Sequence, residues 1–371
     1  EPTDLNFDYL EVLPAGRLRS IGSSVCAGGV MTMMAQAQRH STVHVAKHLH
    51  QFVGWCMAHD VMPESQGNNW PQLCEVARLY EPGVKFLPYW KPDTPAKTPT
   101  KDCLVSVHSA SDRHILWIVN TAREDHNVEI VADLAKLGLD PAKALAVDAE
   151  SGARVALGDT GRFTLPVAAR DYRPVLLVRR GALEAAETLR CSFEGGVEAE
   201  QALGSNAILR NDRGGGAPVL TAADGGGHAA LCGDGGLVLL PHLNLVGEAG
   251  GVSFDGQVTG RQGDLLVVGN TLTVQVRGGK DPALVLQRWP ADRRQGDGKP
   301  EEEAAAPCPA VGWHRIALAW KDGKAALSVD GQPVAGLASG ALAFTPDNVM
   351  KWNDLPRVVI GARGTLTAID N

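Results

Sequence analysis

The sequence predicts a mainly β, multidomain protein, and the stretch GWHRIALAWKDGKAALSVDG at residues 312–331 is the first observation behind that prediction. Leu318 and Trp320 alternate with smaller or polar residues, which is the period-two pattern of a half-buried strand. The Asp-Gly pairs at 322–323 and 330–331 supply turn residues that tolerate a positive φ. We therefore expect an antiparallel meander of two or three strands.

The second observation is a series of short apolar runs, separated by turn residues, within residues 102–180. The six runs are Cys103–Ser109, His114–Thr121, Val128–Asp133, Ala144–Asp148, Phe163–Val167 and Val175–Arg179. Glycine and proline together make 64 of the 371 residues, from 42 Gly and 22 Pro, so turns are frequent. Six strands in so short a segment predict a small antiparallel β-sandwich.

The remaining segments differ in character. Residues 1–95 are predicted to be mixed or helical, with one helix from about Val43 to Cys56 and a second over Pro71–Leu79. Prolines 92, 95 and 99 predict a stiff linker. Strand patterns resume over 189–371, where the charged, alanine-rich stretch Arg293–Ala306 is interpreted as a mobile surface loop.

Composition excludes several functional classes. A net charge of -7 without a basic run argues against a nucleic-acid partner, which needs clustered Lys and Arg. No apolar run approaches the roughly 18 residues of a spanning helix, so no membrane span is expected. The seven cysteines are odd in number and lack CxxC spacing, which makes a zinc cluster improbable. Most are expected to be small apolar core residues, and the sequence leaves any disulfide pairing open.

The meander sequence resembles laminin-G-like, or concanavalin-A-like, domains, and the resemblance covers residues 189–371. It implies a jelly-roll sandwich with a glycan-facing or calcium-bearing edge. In such sandwiches the first and last strands run side by side and often hold calcium between carboxylates and carbonyls. Glu194 and Asp370 are the implied calcium ligands here, and the alternative is that they are ordinary surface carboxylates. No other cofactor is expected.

A second resemblance covers roughly residues 45–180 and lies in FVGWCMAHDVMPE, VKFLPYWKPDT and CLVSVHSASDRHILWIVNTAREDHNVEIVADLAKLGL. These segments resemble the end of a bacterial glycoside hydrolase, similar to uncharacterised relatives of the β-N-acetylgalactosaminidase family. The resemblance implies the last part of a (β/α)8 barrel over 1–95, followed by a β-sandwich cap over 102–180. In that family an Asp-Glu pair at strand ends acts together with the substrate's acetamido group.

This chain departs from the family pattern. No adjacent Asp-Glu pair occurs in residues 1–95, and a complete barrel needs about 200 residues or more. The chain is therefore expected to be a fragment of a larger enzyme, or a degenerate relative that binds without cutting.

Three candidate catalytic residues are His59, Asp60 and Glu64, which follow the apolar run Phe52–Met57. If that run ended a barrel strand, these residues would lie at its C-terminal end, where barrel enzymes place catalytic groups. A carboxylate there could act as acid, base or sugar ligand. The alternative is that Asp60 only caps the turn before Pro63.

Three aromatic residues, Trp70, Tyr89 and Trp90, are candidates for stacking on sugar rings. The alternative places them in the core or at a domain interface, which is the commoner role for aromatic residues near a junction.

These observations predict a secreted or cell-surface carbohydrate-active protein, with the periplasm as a further location. We expect it to be part of a glycoside hydrolase for N-acetylhexosamine-containing glycans with an appended glycan-binding sandwich. The alternative is a non-catalytic carbohydrate-binding or structural cell-surface protein. The expected partner is a polysaccharide or glycan, with other chains or the missing part of the same polypeptide as further partners. The chain alone is expected to be catalytically inactive.

Overall fold

The structure is a computed structural model in which two compact units are built mainly from residues 1–185 and 186–371. It describes residues 15–19, 32–34, 42–64, 70–150, 152–179, 188–210, 218–223, 226–232, 235–239, 244–245, 249–269, 271–290, 299–339, 358–361 and 366–370. For residues 32–34, 42–49, 64, 70–72, 209–210 and 366–370 only the backbone is described. Among these residues, no helix combines the length and apolar character that crossing a membrane requires.

The first unit begins with alternating strands and helices. Its elements are β1 (Thr32–Met34), α1 (Thr42–Met57), β2 (Met62–Glu64) and α2 (Trp70–Ala77). The two strands pair in parallel, so α1 is the crossover of a β-α-β unit. Both helices are confirmed at nearly their predicted bounds, whereas the two three-residue strands are too short to show a periodic pattern.

A β-sandwich follows in the same unit. Its strands are β3 (Lys85–Leu87), β4 (Ala96–Lys97), β5 (Cys103–Ser109), β6 (Arg113–Asn120), β7 (His126–Ala132), β8 (Ala144–Asp148), β9 (Arg154–Val155), β10 (Arg162–Val167) and β11 (Tyr172–Arg179). They form a six-stranded sheet in the order β3-β5-β6-β11-β8-β9 and a three-stranded sheet in the order β10-β7-β4, counted over the described residues. All pairs are antiparallel, and each of the six predicted runs is a strand.

The central strand β6 is buried on both faces. Leu116 and Ile118 pack into the core between the two sheets. The opposite face of the larger sheet is covered by α1, which contacts β6 and β11, and by α2, which contacts β6. Helix α1 approaches closely because Gly54 lies against Tyr172, and a Cβ built on Gly54 would be 2.1 Å from the tyrosine ring.

The second unit contains two seven-stranded sheets within its described residues. The strands are β12 (Leu189–Arg190), β13 (Gln201–Ala202), β14 (Ile208–Arg210), β15 (Val219–Ala222), β16 (His228–Leu231), β17 (Leu237–Leu239), β18 (Ala249–Val258), β19 (Gly263–Val268), β20 (Leu272–Arg277), β21 (Ala283–Arg288), β22 (Glu302–Pro307), β23 (Gly312–Lys321), β24 (Lys324–Val329), β25 (Gln332–Leu337), β26 (Val358–Ile360) and β27 (Leu366–Asp370). The sheet orders are β14-β17-β26-β19-β20-β21-β22 and β15-β16-β27-β18-β23-β24-β25, and β12 and β13 pair separately. Residues of both large sheets form one hydrophobic core.

The predicted meander is confirmed as β23, β24 and β25. Asp322 and Gly323 both take positive φ, 50° and 72°, which is the backbone of a tight two-residue hairpin turn. Ile316, Leu318 and Trp320 are buried in the core, as their shared phase predicts. Trp320 is only 2% exposed.

The surface loop predicted over Arg293–Ala306 is wrong for its described C-terminal part, and residues 293–298 lie outside the described residues. Glu302–Pro307 is an edge strand, β22, paired with β21. Ala304 and Ala306 are half-buried, and Ala305 is exposed. Glu303 accepts hydrogen bonds from the Arg277 guanidinium at 3.0 and 2.8 Å. Alanine and glutamate are poor strand formers, so local composition hides a strand that tertiary pairing imposes.

The cysteines serve as core residues for the most part, as predicted. Of the six described free thiols, Cys56, Cys74, Cys103 and Cys232 are buried and the other two are half-buried. Burial raises the pKa of the Cys232 thiol to about 12, so it stays protonated and unreactive.

Candidate functional site

Three of the predicted site residues, His59, Tyr89 and Trp90, lie together in the first unit. The His59 and Trp90 rings stack with centroids 5.9 Å apart, and the Tyr89 ring meets both edge-on. His59 Nδ1 donates to the Trp55 carbonyl at 2.8 Å, which leaves Nε2 as the acceptor for the Tyr89 hydroxyl at 3.3 Å. The guanidinium of Arg19 lies 5.6 Å from the Trp90 ring centroid, in a cation–π position.

His59 is neutral at physiological pH. Its ring is 4% exposed, and this burial lowers its pKa to about 4 against the opposing effect of the Trp55 carbonyl. A neutral, enclosed imidazole whose two nitrogens are both engaged orients Tyr89 rather than exchanging protons with solvent.

Asp60 connects the end of α1 to the larger sheet. It has a φ of 58° and a side chain 58% exposed, and its carboxylate accepts from His108 Nε2 at 3.0 Å. The indole of Trp117 donates to Nδ1 of the same histidine at 2.9 Å. Because an indole N–H can only donate, the His108 proton lies on Nε2 and points at Asp60.

The structure corrects the predicted position of His59 and Asp60 at the C-terminal end of a barrel strand. Phe52–Met57 belongs to helix α1, so both residues precede β2 and lie at its N-terminal end. Glu64 is the last residue of β2 and lies at the opposite, C-terminal end. The run was misassigned because a short apolar segment has the same composition in a buried helix and in a buried strand.

The remaining sequence candidate in this unit, Trp70, is the first residue of α2. The side chains of Trp70 and Glu64 lie outside the described residues. A catalytic role for His59, Asp60 and Glu64, and a sugar-stacking role for the three aromatic residues, stay predictions.

A pocket of about 360 Å³ opens beside the aromatic group, where β4 of the small sheet passes the start of β5 in the larger sheet. It is lined by Tyr89, Trp90, Lys91, Pro92, Ala96, Lys97, Thr98, Cys103, Leu104 and Val105. Its volume is within the range typical of small-molecule sites. All of these residues lie in 89–105, a fully described stretch, and none of the lining residues is a carboxylate.

A larger groove of about 790 Å³ shares Lys97 and Thr98 with this pocket. It has no aromatic lining residue, and Asp133 and Asp159 contribute carboxylates to it. Lys136 there is paired with Asp133 at 3.6 Å. The smaller pocket, which combines aromatic rings with two lysines and has no carboxylate among its described lining residues, is therefore the better candidate site.

Sequence reasoning missed a buried charge network that holds α1 on the larger sheet. His50 Nδ1 lies 2.7 Å from Asp171 Oδ1, and Nε2 lies 2.9 Å from Glu150 Oε1. The Tyr172 hydroxyl donates to the same Glu150 oxygen at 2.8 Å. Burial alone would lower the pKa of His50, but the two carboxylates outweigh it and raise that pKa to about 10.

No local motif could have revealed this network, because the partners lie 100 and 121 residues beyond His50. The one signal in the sequence was that His50, one turn before Gly54, is in phase with the apolar face of α1.

In the second unit, the proposed calcium ligand Glu194 follows β12 and is half-exposed. Its carboxylate accepts from the His228 backbone amide at 2.8 Å and lies 3.3 Å from His228 Nδ1. Asp370 ends β27, which pairs with both β16 and β18, but its side chain is not described. Among the described residues no group of three or more His, Cys, Asp or Glu is placed to hold a metal.

Comparison with known proteins gives one family match. Residues 82–151 match the family model described as the C-terminal domain of glycoside hydrolase 123. No curated protein matches the chain. The match contains the whole 360 Å³ pocket and most of β3 to β8. The chain is thus a mainly β protein with a region related to glycoside hydrolases.

Solved structures show weaker similarity. Domain 4 of AbnA, a GH43 extracellular arabinanase from Geobacillus stearothermophilus in complex with arabinotriose, is 15% identical, with a TM-score of 0.33 over 49% of this chain and 88% of that one. The GH43 protein BlXynB from Bacillus licheniformis is 10% identical (TM-score 0.35, 76% of this chain, 53% of that one). Trypanosoma rangeli sialidase is 12% identical (TM-score 0.29, 73% and 59%). The chain thus spans little more than half of the last two proteins, and TM-scores below 0.5 do not establish a common fold.

Proposed function

We propose that this chain is part of a carbohydrate-active protein related to glycoside hydrolases, and that its sandwich domains bind glycan. The observation that carries the proposal is the position of the Tyr89–Trp90 pocket inside the segment that matches a glycoside hydrolase C-terminal domain. Half-buried aromatic rings beside polar groups suit pyranose rings, whose C–H faces are apolar and whose edges carry hydroxyls. The proposed substrates of the whole enzyme are N-acetylhexosamine-containing glycans, and its proposed location is secreted or at the cell surface.

The β-α-β-α order of residues 32–77 supports the further proposal that the first unit begins with the end of a (β/α)8 barrel. Parallel strands joined by a helical crossover are the repeating unit of such a barrel. The following sandwich would then be its cap.

A laminin-G-like jelly roll is our proposal for the second unit. Two seven-stranded antiparallel sheets that share one core support it. Calcium at Glu194 and Asp370 belongs to the same proposal.

Glycan binding is tested by titrating N-acetylhexosamine oligosaccharides into the full chain in a calorimeter. Binding should be measurable, and Trp90→Ala should weaken it by about tenfold because one aromatic wall of the pocket is lost. Tyr80→Ala is the matched control, since Tyr80 is an exposed aromatic residue of the same unit that does not line the pocket. Equal affinities for both variants would remove this pocket from the proposal.

A non-catalytic surface protein is the second candidate function. The pocket lining favours it, because hydrolysis by the usual route needs two carboxyl groups on either side of the bond, and residues 89–105 place none in the lining.

A further inference from the structure

We infer that the pocket between β4 and β5 selects an acidic sugar, one that bears a carboxylate or a sulfate ester. The inference deepens the proposed glycan binding and rests on it. It follows from the two lysines of the lining, Lys91 and Lys97, and from the absence of a lining carboxylate to neutralise them.

Lys97 lies on the two-residue strand β4 and is exposed where it lines the pocket. Its ammonium donates to the Pro92 carbonyl at 2.7 Å, a bond to a neutral acceptor that positions the charge without cancelling it. The ammonium has two further N–H donors, and these are available to a ligand. A positioned cation costs less side-chain entropy on binding than a free lysine would.

Lys91 supplies the second positive charge of the lining, from the turn after Trp90. Its backbone amide donates to the Pro88 carbonyl at 3.1 Å, which fixes the turn, while its side chain is exposed. The Arg19 guanidinium over the Trp90 ring adds a third cationic group near the same wall.

Apolar side chains line the pocket beside these charges. Ala96 and Val105 are buried, and Leu104 and the two aromatic rings are half-buried. Low-dielectric walls strengthen a charge interaction relative to open water. A carboxylate or sulfate facing Lys97 would form charge-assisted hydrogen bonds that a neutral sugar cannot offer.

The charge of the pocket contrasts with that of the chain, which is -7 overall. The positive charge of this pocket is therefore a local feature of a chain whose net charge is negative. A single acidic sugar within a glycan fits that pattern.

The test compares glucuronic acid and 6-sulfo-N-acetylglucosamine with glucose and N-acetylglucosamine, by calorimetry on the full chain at low salt. Inorganic sulfate is the fifth probe. Each acidic sugar should bind about tenfold more tightly than its neutral counterpart, and Lys97→Gln should remove that preference. Lys101→Gln is the charge-matched control, because Lys101 is 91% exposed and does not line the pocket. The two acidic sugars distinguish carboxylate from sulfate as the recognised group.

Equal affinity for acidic and neutral sugars, or an equal loss in both lysine variants, would overturn the inference while leaving glycan binding in place. Inorganic sulfate binding as tightly as the sulfated sugar would also overturn it, because the site would then recognise an anion rather than a sugar. Failure of all four sugars would contradict both this inference and the proposed function.

Discussion

At the scale of single residues, His50 is the centre of a charge network in the first unit. The side chains of His50, Glu150 and Asp171 are 11%, 3% and 16% exposed, so the cation and both carboxylates are largely removed from water. Such a group stabilises only as a complete set, because removing one member leaves a buried charge uncompensated.

His50→Ala should therefore destabilise the first unit by about 3 kcal/mol or more, measured by urea unfolding. His126→Gln is the matched control, since His126 faces Glu124 at 3.9 Å across an exposed surface. Its expected effect is under about 1 kcal/mol. Equal effects of the two substitutions would show that the network contributes nothing beyond an ordinary surface pair.

The pH dependence of stability should have two limbs set by two histidines. The pKa of His50 is raised from 6.5 to about 10, so its contribution is complete below pH 6.5 and is lost as the pH rises toward 10. The pKa of His59 is lowered to about 4, so the unfolded chain takes up a proton first and stability falls as the pH drops from 6.5 toward 4. The free energy of unfolding should be measured from pH 4.5 to 9.5. In His50→Gln its decrease at alkaline pH should disappear, and its decrease at acid pH should remain.

At the scale of secondary-structure elements, α1 depends on the absence of a side chain at Gly54. An alanine there would improve intrinsic helix propensity by about 1 kcal/mol. Its Cβ would also lie 2.1 Å from the Tyr172 ring, which is itself 1% exposed and hydrogen-bonded to Glu150.

Gly54→Ala should thus destabilise the unit by about 1–3 kcal/mol despite the better propensity. Gly16→Ala provides the control, because Gly16 is exposed within the helical residues 15–19 and a Cβ there meets nothing within 4 Å. A stabilising effect of alanine at both Gly54 and Gly16 would contradict the close packing of α1 against Tyr172.

The hairpin of β23 and β24 shows what sequence patterns predict well. Its alternation and its Asp-Gly turn are local, so its strands, turn and buried face could be predicted from the sequence alone. The edge strand β22 has neither the alternating apolar pattern nor an Asp-Gly turn. It is recognised as a strand through its pairing with β21.

Trp320→Ala should destabilise the second unit by about 3–5 kcal/mol, because it opens a cavity in the core shared by the two sheets. Thermal and urea unfolding measure the loss. Trp320→Phe keeps most of the apolar volume, so it should reduce the free energy of unfolding clearly less. A melting curve of Trp320→Ala like that of the parent would contradict the packing described for this core.

At the scale of the whole molecule, the sequence predicted elements better than sites. The sequence indicated His59, Tyr89 and Trp90 as separate candidates. Their rings are in contact because the turn after α1 lies beside the segment that precedes β4. The His50 network depends on partners 100 and 121 residues away, which no spacing along the chain encodes. A three-residue strand such as β2 carries no readable period, and the apolar run Phe52–Met57 was taken for the strand instead, so Asp60 and Glu64 were both placed at its C-terminal end.

The same placement leads to a prediction about catalysis: the chain alone should not hydrolyse aryl N-acetylhexosaminides above background. Asp60 lies at the N-terminal end of β2, whereas barrel enzymes hold their catalytic groups at the C-terminal ends of the strands. Its carboxylate accepts a hydrogen bond from His108, so we expect its role to be structural. Asp60→Asn should therefore lower the melting temperature and leave the background rate unchanged. Turnover by the purified chain that disappears in Asp60→Asn would contradict this view and make residues 32–77 part of a working active site.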